Sequence, residues 1–471
     1  MKQKISFSNR GHVFAATGAA VGIANLVLFP ARVYNYGGLA FILVFVLCTF
    51  LLGIPLMIGE TALGKHGQSD AVDAYQGIGK GKWGYAGVLG LITCCFVLSF
   101  YIVVAGWALY YLYLYVFDIQ SITTMNTGQL FGEFVTNETQ VFLFSGLFMI
   151  ATIVVVAGGV RKGIEAVSKR FVPLLVVLVL ILILLVPVVK GEALNYGNFT
   201  FDFGALFKVD ASGRMGIIEA VGQAFFSLSL GSCGMVTFGA HTHKETNVVE
   251  NANFIVHTDT IVAILGGLLI IPLFAANEQV MAAPPLVFIN LVETFNGFGD
   301  LWGRIIGVLF FALFNIAIIT SAISLLEPTV NYLARRKKQG RKFYAIAVGT
   351  FIFVMSIPVI LSVDATNPAI FTNFLGYGDN HNGEISMGYF NFVLDFFGTF
   401  CLIAGSFILA TFISRKWTME GIFKEITVAG YSPSDRMKQF LTFTLKWFIP
   451  AVMLLMFVAE FYKVMVKLGV V

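Results

Sequence analysis

Residues 11–32 read GHVFAATGAAVGIANLVLFPAR, and this stretch decides the fold. It is apolar enough to cross a membrane. Yet it contains four residues that weaken a helix or are costly in lipid, namely Gly18, Gly22, Asn25 and Pro30. The pattern therefore predicts a spanning helix that is interrupted in its middle. The stretch ends at Arg32, a charged residue whose place beside an apolar span needs an explanation.

The composition of the whole chain is that of a membrane protein. Of its 471 residues, 58% are hydrophobic and 12% are charged, whereas a soluble domain has about 25% charged residues. Because this shortage extends along the chain, we predict an all-α polytopic membrane protein in the lipid bilayer, with a single domain over residues 1–471. The net charge of +4 gives no sign of nucleic-acid binding. The sequence has no recognisable nucleophile–base pair or phosphate loop, so we expect no enzyme.

Eleven segments contain the roughly 20 predominantly apolar residues that a spanning helix needs. They lie near residues 12–33, 40–63, 84–115, 140–157, 167–189, 214–240, 251–275, 304–334, 342–362, 391–414 and 440–466. Basic residues concentrate in the loops that are internal if the N-terminus is cytoplasmic, and the opposite loop 116–139 contains none. The positive-inside rule therefore places the N-terminus in the cytoplasm and, after an odd number of helices, the C-terminus outside.

Two of these segments are interrupted, at AAVGIAN in the first and at SLSLGSCG (227–234) in the sixth. They occupy equivalent places in two sets of five helices, over residues 11–189 and 214–414, and residues 440–466 form an additional helix 11. Interrupted helices at corresponding positions indicate an inverted-repeat transporter with its site near the membrane midplane. Broken backbone at that depth must line a cavity or be buried in protein, where its carbonyls can coordinate a cation.

Four motifs occur in order along the chain: GAAVGIANLVLFP in the first segment, NYGGLAFILVFVLCTFLLGIPLMIGETALG (35–64), AVGQAFFSLSLG (220–231) and AIITSAISLLEP (317–328). Together they resemble the signatures of the neurotransmitter:sodium symporter family, in particular of its bacterial amino-acid transporters. The resemblance implies the twelve-helix, pseudo-symmetric fold of the bacterial leucine transporter, here without the last helix, with alternating access and sodium-driven uptake. Glu60 and Gln223 match family residues that hydrogen-bond near the breaks.

The resemblance implies two sodium sites. The first comprises the Ala20 carbonyl, the Asn25 side chain, Ser227 and a polar residue of the seventh helix, for which we take Asp259, with Thr258 as the alternative. An asparagine on an apolar helix supplies the oxygen ligand that a hard cation prefers, and an ionisable residue inside a membrane is functional by default. A carboxylate here would make chloride unnecessary, so we expect no chloride requirement.

The second implied sodium site lies between the first and eighth helices. Its ligands are the carbonyls of Gly18, Val21 and Ala317 and the hydroxyls of Thr320 and Ser321. Adjacent hydroxyls on one helix are often only hydrogen-bonded to the preceding turn. Because these two occur within AIITSAISLLEP, with an intact partner segment in the first helix, we favour the ion site.

The resemblance places the substrate between the two breaks. Tyr101 and the amides near Gly22 and Ala24 would hold a carboxylate, and carbonyls near Ala20, Phe226, Ser227 and Ser229 would hold an amine. The apolar wall would consist of Ile23, Val97, Phe226, Ser232, Ser321, Ala322 and Leu325. Ser232 stands where the leucine transporter has phenylalanine, and the additional space favours a larger, aromatic substrate.

The outer gate departs from the family pattern. Asp395 matches the acidic gate residue of the tenth helix, but Leu28 stands where the family has an arginine. Arg32 lies four residues further on, on the same helix face. We hypothesise that Arg32 forms a displaced outer gate with Asp395 or with an acid in the outer loops. The alternative is that Arg32 only extends to the outer membrane interface.

These observations favour a sodium-coupled symporter for a hydrophobic or aromatic amino acid, in the cell membrane of a bacterium, as a monomer or homodimer. Two alternatives stay open. One is a transporter of a small neutral aromatic such as indole, driven by protons instead of sodium, because the gate arginine is missing. The other is a sensor that binds an amino acid without transporting it.

Overall fold

A computed structural model describes residues 7–8, 10–191, 200–208, 215–273, 286–336, 339–377 and 385–467. In this part of the chain every regular element is a helix, and the only β-type pairings are three isolated bridges. The all-α class predicted from the composition is confirmed. Residue 214, the predicted start of the second repeat, lies outside the described residues.

The first predicted span is a bent pair of helices, α1a (Gly11–Ala20) and α1b (Ala24–Asn35), which meet at 43°. The sixth consists of two short helices, α6a (Gly216–Ser227) and α6b (Gly234–Gly239). Nine continuous helices in the described residues are long and apolar enough to cross a membrane. They are α2 (Leu39–Gly67), α3 (Gly81–Phe117), α4 (Glu138–Ala157), α5 (Val160–Lys190), α7 (Val248–Leu273), α8 (Asp300–Arg336), α9 (Arg341–Leu361), α10 (Gly388–Ile426) and α11 (Asp435–Tyr462).

The predicted segments and the observed helices differ mainly at their ends. Helix α10 continues beyond the predicted 391–414 because a short amphipathic helix, Thr418–Ile426, follows it directly. Each half of α6 is too short to span a membrane by itself. Helices α3 and α8 pack against each other in the centre, and α1a packs against α8, α5 and α7. The breaks in α1 and α6 are thereby surrounded by protein, as broken backbone at membrane depth requires.

Local backbone geometry explains the break in α1. Val21 is extended, with φ −77° and ψ 107°, so the helix ends at Ala20. Beyond the break the chain winds as a π-helix over Ala24–Leu28 before the α-helix Phe29–Asn35. Such π-helical turns are rare and frequently occur at functional sites. The sequence pattern does not predict this wider turn.

The break in α6 depends on left-handed backbone. Ser229, Gly231 and Cys233 have φ angles of 53°, 83° and 61°. At Gly231 a Cβ atom would lie 2.0 Å from the Leu402 carbonyl oxygen, so a side chain there would force α10 away. Gly405 on α10 lies against the same segment of α6, because a Cβ atom added at Gly405 would be 2.1 Å from the Gly231 carbonyl oxygen. The second break is thus held against α10 by contact between backbones.

A buried ion pair joins α8 to α9. Glu327 is fully buried, and Arg341 donates to both of its carboxylate oxygens, with Nη1 2.9 Å from Oε1. Arg341 Nε also donates to the Val156 carbonyl at 3.0 Å. Because the pair lies in a low-dielectric interior, removal of one partner leaves the other charge uncompensated.

Replacement of Arg341 by alanine leaves the fully buried Glu327 carboxylate without its cation and is therefore expected to destabilise the protein by about 3–5 kcal/mol. Thermal unfolding in detergent measures this loss as a lower melting temperature. The matched control is Asp435→Ala, which removes the exposed partner of Lys438 and should leave the melting temperature nearly unchanged. Equal melting temperatures for the two variants would contradict the importance of the buried pair.

Candidate functional site

Three fully buried polar side chains meet at the break in α1. The Asn25 amide nitrogen lies 3.1 Å from Ser227 Oγ and 2.8 Å from Asp259 Oδ1, while Asn25 Oδ1 accepts from the Gly22 amide at 3.0 Å. Ser227 Oγ lies 2.9 and 2.7 Å from the two Asp259 carboxylate oxygens. The structure therefore brings together three of the four residues expected at the first sodium site. The fourth, Ala20, ends α1a and lines the adjacent cavity.

The register of α7 distinguishes Asp259 from its neighbour Thr258. The Asp259 carboxylate reaches Asn25, whereas the Thr258 hydroxyl donates to the Phe254 carbonyl of its own helix at 2.8 Å. Successive residues of an α-helix point in directions about 100° apart, so only one of the two can face the cluster. The structure thus selects Asp259 between the two positions that the sequence left open.

The residues expected at the second sodium site surround the Ser321 hydroxyl on α8. Four carbonyl oxygens lie near Ser321 Oγ, those of Ala19 and Ala317 at 3.3 Å and those of Gly18 and Val21 at 3.4 Å. The Thr320 hydroxyl donates to the Ala317 carbonyl at 3.0 Å. The Ala19 carbonyl also accepts from the Ser229 hydroxyl at 3.1 Å, so the Gly18 and Val21 carbonyls are left to share the single proton of Ser321. Such a surplus of converging acceptors suits a cation.

A cavity lies between the two breaks. Its lining includes eleven of the thirteen residues expected at the substrate site, namely Ala20, Gly22, Ile23, Ala24, Val97, Tyr101, Phe226, Ser229, Ser232, Ser321 and Leu325. Of the other two, Ser227 belongs to the neighbouring polar cluster. Ala322, expected in the apolar wall, is buried but does not line the cavity. Two lining residues, Ala19 and Leu402, are not predicted by the sequence.

The cavity is narrow. The space open to the centres of water molecules is ≈ 30 Å³, which is room for about two waters. Gly22 lies at its tightest point, because a Cβ atom there would be 2.5 Å from Ser321 Oγ and 2.8 Å from the Tyr101 hydroxyl. The Ile23 amide donates to the Tyr101 hydroxyl at 3.4 Å. A ligand of amino-acid size therefore needs the walls to move apart.

Two side chains from neighbouring helices bond to backbone groups at the breaks. Gln223 Nε2 donates to the Ala24 carbonyl at 2.8 Å. Glu60 Oε1 on α2 accepts from the Gly231 amide at 2.6 Å. The Glu60 contact removes the cost of an unpaired amide in a water-free interior. The Ala24 carbonyl also accepts from the Phe29 amide, so Gln223 is its second partner. Glu60 and Gln223 are the positions that the family resemblance associates with hydrogen bonding near the breaks.

The structure gives Arg32 a partner other than the predicted Asp395. Arg32 Nη2 lies 3.0 Å from Glu219 Oε2 on α6a, and Nη1 donates to Gln223, so within the described residues its ion pair is with Glu219. The reason is packing, because α1b lies along α6a, where Glu219 and Gln223 share one face. The Arg32 side chain is 20% exposed, so it does not merely extend to the interface. Leu28 is half-buried in the π-helical turn.

Sequence comparisons identify the family to which this arrangement belongs. The sequence pattern of the Sodium:neurotransmitter symporter family matches residues 4–140. The uncharacterized sodium-dependent transporter YhdH of Bacillus subtilis (strain 168) is 35% identical over 360 residues, which are 75% of this chain and 78% of YhdH. The chain belongs to the sodium:neurotransmitter symporter family. An uncharacterized sodium-dependent transporter of Haemophilus influenzae is 28% identical to this symporter over 381 residues, 76% of this chain and 80% of that protein.

A solved structure resembles the symporter over almost its whole length. The crystal structure of MhsT in complex with L-phenylalanine matches with a TM-score of 0.83 and 33% identity, covering 97% of this chain and 99% of MhsT. Together these relatives make the symporter a sodium-dependent, multi-pass membrane transporter of a small molecule, and not an enzyme. Its fold is that of the leucine transporter, with broken helices α1 and α6.

A double-mutant cycle tests the ion pair between α1b and α6a. Arg32→Ala and Glu219→Ala each leave one partly buried charge unpaired, so the double variant should recover part of the loss, with a coupling energy of about 0.5–3 kcal/mol. Thermal unfolding in detergent measures it. The cycle of Arg32→Ala with Asp395→Ala is the matched control, whose effects should add within about 0.5 kcal/mol. Coupling to Asp395 without coupling to Glu219 would instead support the gate predicted from the sequence.

Proposed function

We propose that this symporter takes up a hydrophobic or aromatic amino acid together with sodium, by alternating access. The main support for the proposal is a cavity between two helix breaks, with an oxygen-rich cluster on either side of it. The apolar side chains of Ile23, Val97, Phe226 and Leu325 line the cavity and suit an apolar substrate side chain. The complex of the similar protein MhsT with L-phenylalanine supports an aromatic substrate.

The helix ends at the cavity suit the two charges of an amino acid. Helix α1b begins there, and the positive end of its dipole, with the amides near Gly22 and Ala24 and the Tyr101 hydroxyl, favours a carboxylate. Helices α1a and α6a end there, and their last carbonyls favour an ammonium group. The ammonium would lie near Ser229, so that the substrate side chain extends toward the apolar wall.

We assign one sodium ion to each oxygen cluster. In the first, the Asp259 carboxylate beside Asn25 and Ser227 balances the charge of the cation, so chloride is not required. In the second, a cation would satisfy the carbonyls around Ser321 that its single proton cannot. The sodium dependence of the bacterial relatives supports sodium rather than protons as the driving ion.

The same arrangement supports alternating access. We take residues 11–189 and 214–414 as two repeats, because the breaks in α1 and α6 lie at equivalent places, and residues 440–466 as an additional helix. An ion at the second site would join α1a to α8 and favour the outward-open state, and a substrate that bridges both breaks would then permit closure around the cavity. The basic loops support a cytoplasmic N-terminus and an external C-terminus.

Transport by purified protein in proteoliposomes tests the proposal. Because sodium binding would favour the outward-open state that accepts the substrate, we expect an inward sodium gradient to drive saturable uptake of labelled L-phenylalanine, L-leucine or L-tryptophan. A proton gradient alone should drive none, and replacement of chloride by gluconate should change nothing. Protein-free liposomes are the control. Proton-driven uptake of indole would favour the neutral-aromatic alternative, and saturable binding without uptake would favour the sensor.

Two variants test the sodium sites separately. Asn25→Ala and Ser321→Ala each remove an oxygen ligand from one cluster and should raise the sodium concentration for half-maximal uptake about 10-fold, equivalent to about 1.4 kcal/mol. Ser99→Ala is the matched control, because Ser99 is fully buried but donates only to the Phe96 carbonyl of its own helix. A normal sodium response in both site variants would contradict the assignment.

A further inference from the structure

One wall of the substrate cavity comes from α10, through Leu402. Leu402 is 4% exposed, and its carbonyl oxygen lies against the second break, 2.0 Å from where a Cβ atom at Gly231 would be. The other lining residues in the described part of the chain belong to α1, α3, α8 and the broken helix α6. Helix α10 therefore contributes to the cavity at a point where neither motif nor composition predicts a site residue.

Helix α10 packs directly against the second break. A Cβ atom at Gly405, one turn after Leu402, would lie 2.1 Å from the Gly231 carbonyl oxygen. Together with the contact at Leu402, this places the α10 backbone next to the break without space between them, as in a close-packed interior. Because α10 cannot approach more closely, the size of the residue at position 402 would change how far the cavity extends in this direction.

Because the neighbouring residue Ser232 is small, the boundary of the cavity at this end depends more on Leu402. Ser232 follows Gly231 and lines the same cavity, but its side chain is small. Its hydroxyl donates to the Ser229 carbonyl at 2.8 Å and accepts from the Gly234 amide at 3.3 Å. That hydroxyl is already hydrogen-bonded to backbone groups of the break. The boundary at this end of the cavity is therefore apolar and is formed by Leu402.

We infer that Leu402 is the end wall of the side-chain pocket and sets the largest amino acid that the symporter accepts. The inference rests on the proposed function, because it requires an amino acid in this cavity. A shorter residue at position 402 lengthens the pocket, and a larger one fills it. One methylene group in an apolar pocket changes discrimination between substrates by about 10–200-fold.

The test compares L-tryptophan with L-leucine as substrates in proteoliposomes, as the ratio of their kcat/KM values for uptake. Leu402→Ala should raise the ratio of tryptophan to leucine about 10-fold or more, and Leu402→Phe should lower it by a similar factor. The matched control is Leu409→Ala, which removes the same atoms from a fully buried leucine of α10 that does not line the cavity. It should lower the melting temperature and leave the ratio unchanged.

The results that would overturn this inference alone differ from those that would overturn the proposed function. Wild-type protein that takes up no amino acid would overturn the proposed function, and this inference with it. Active Leu402 variants with an unchanged ratio, or an equal change in Leu409→Ala, would overturn the inference alone. If Leu402→Ala does not fold, Leu402→Val removes one methylene group and should shift the ratio in the same direction by a smaller factor.

Discussion

Every backbone group freed by the two helix breaks must find a partner inside the protein, because lipid offers none. At the first break the Gly22 amide donates to the Asn25 side chain, and at the second the Gly231 amide donates to Glu60 of α2. The breaks therefore require polar side chains in segments that are otherwise apolar. The same requirement presses the second break against α10, where glycines allow the backbones to meet. The position of the site and the packing around it therefore have one physical origin.

At the first break, the freed amide has a hydrogen-bond acceptor, whereas some of the freed carbonyls have too few donors. This difference indicates that the break suits a cation. The freed Gly22 amide has the side-chain oxygen of Asn25 as its acceptor. Around Ser321, by contrast, the Ala19 and Ala317 carbonyls have further donors in Ser229 and Thr320, while the Gly18 and Val21 carbonyls lie 3.4 Å from the Ser321 hydroxyl, near the long limit for a hydrogen bond. The Gly18 and Val21 carbonyls therefore face a place that suits positive charge. A desolvated monovalent cation supplies it, which is how carbonyl rings replace the hydration shell of an ion.

The sequence predicts the breaks, because glycine, asparagine and serine in apolar spans are local signals, whereas most residues around them follow from the family resemblance. It favoured Asp259 but left Thr258 as an alternative, since a buried helix that is apolar on most sides gives no periodicity from which to set the register. It also gave no indication of Leu402 or of the partner of Arg32. Both depend on which helices pack together, and nothing in the sequence distinguishes Leu402 from the other apolar residues of α10. For Glu219 a signal was available, because it precedes Gln223 by one turn on the same face.

The ion pair of Arg32 changes how the two halves of α1 are coupled to the rest of the protein. Through Glu219 and Gln223, Arg32 ties α1b to α6a, and Gln223 extends this connection to the Ala24 carbonyl at the edge of the cavity. Helix α1a is instead held against α8, at Ser321. The 43° bend thus separates two half-helices whose side-chain contacts differ, although α7 packs against both. The break therefore lies between a half-helix that is paired with α6a and a half-helix whose last carbonyls face α8, and the cavity lies where these contacts change from one helix to the other.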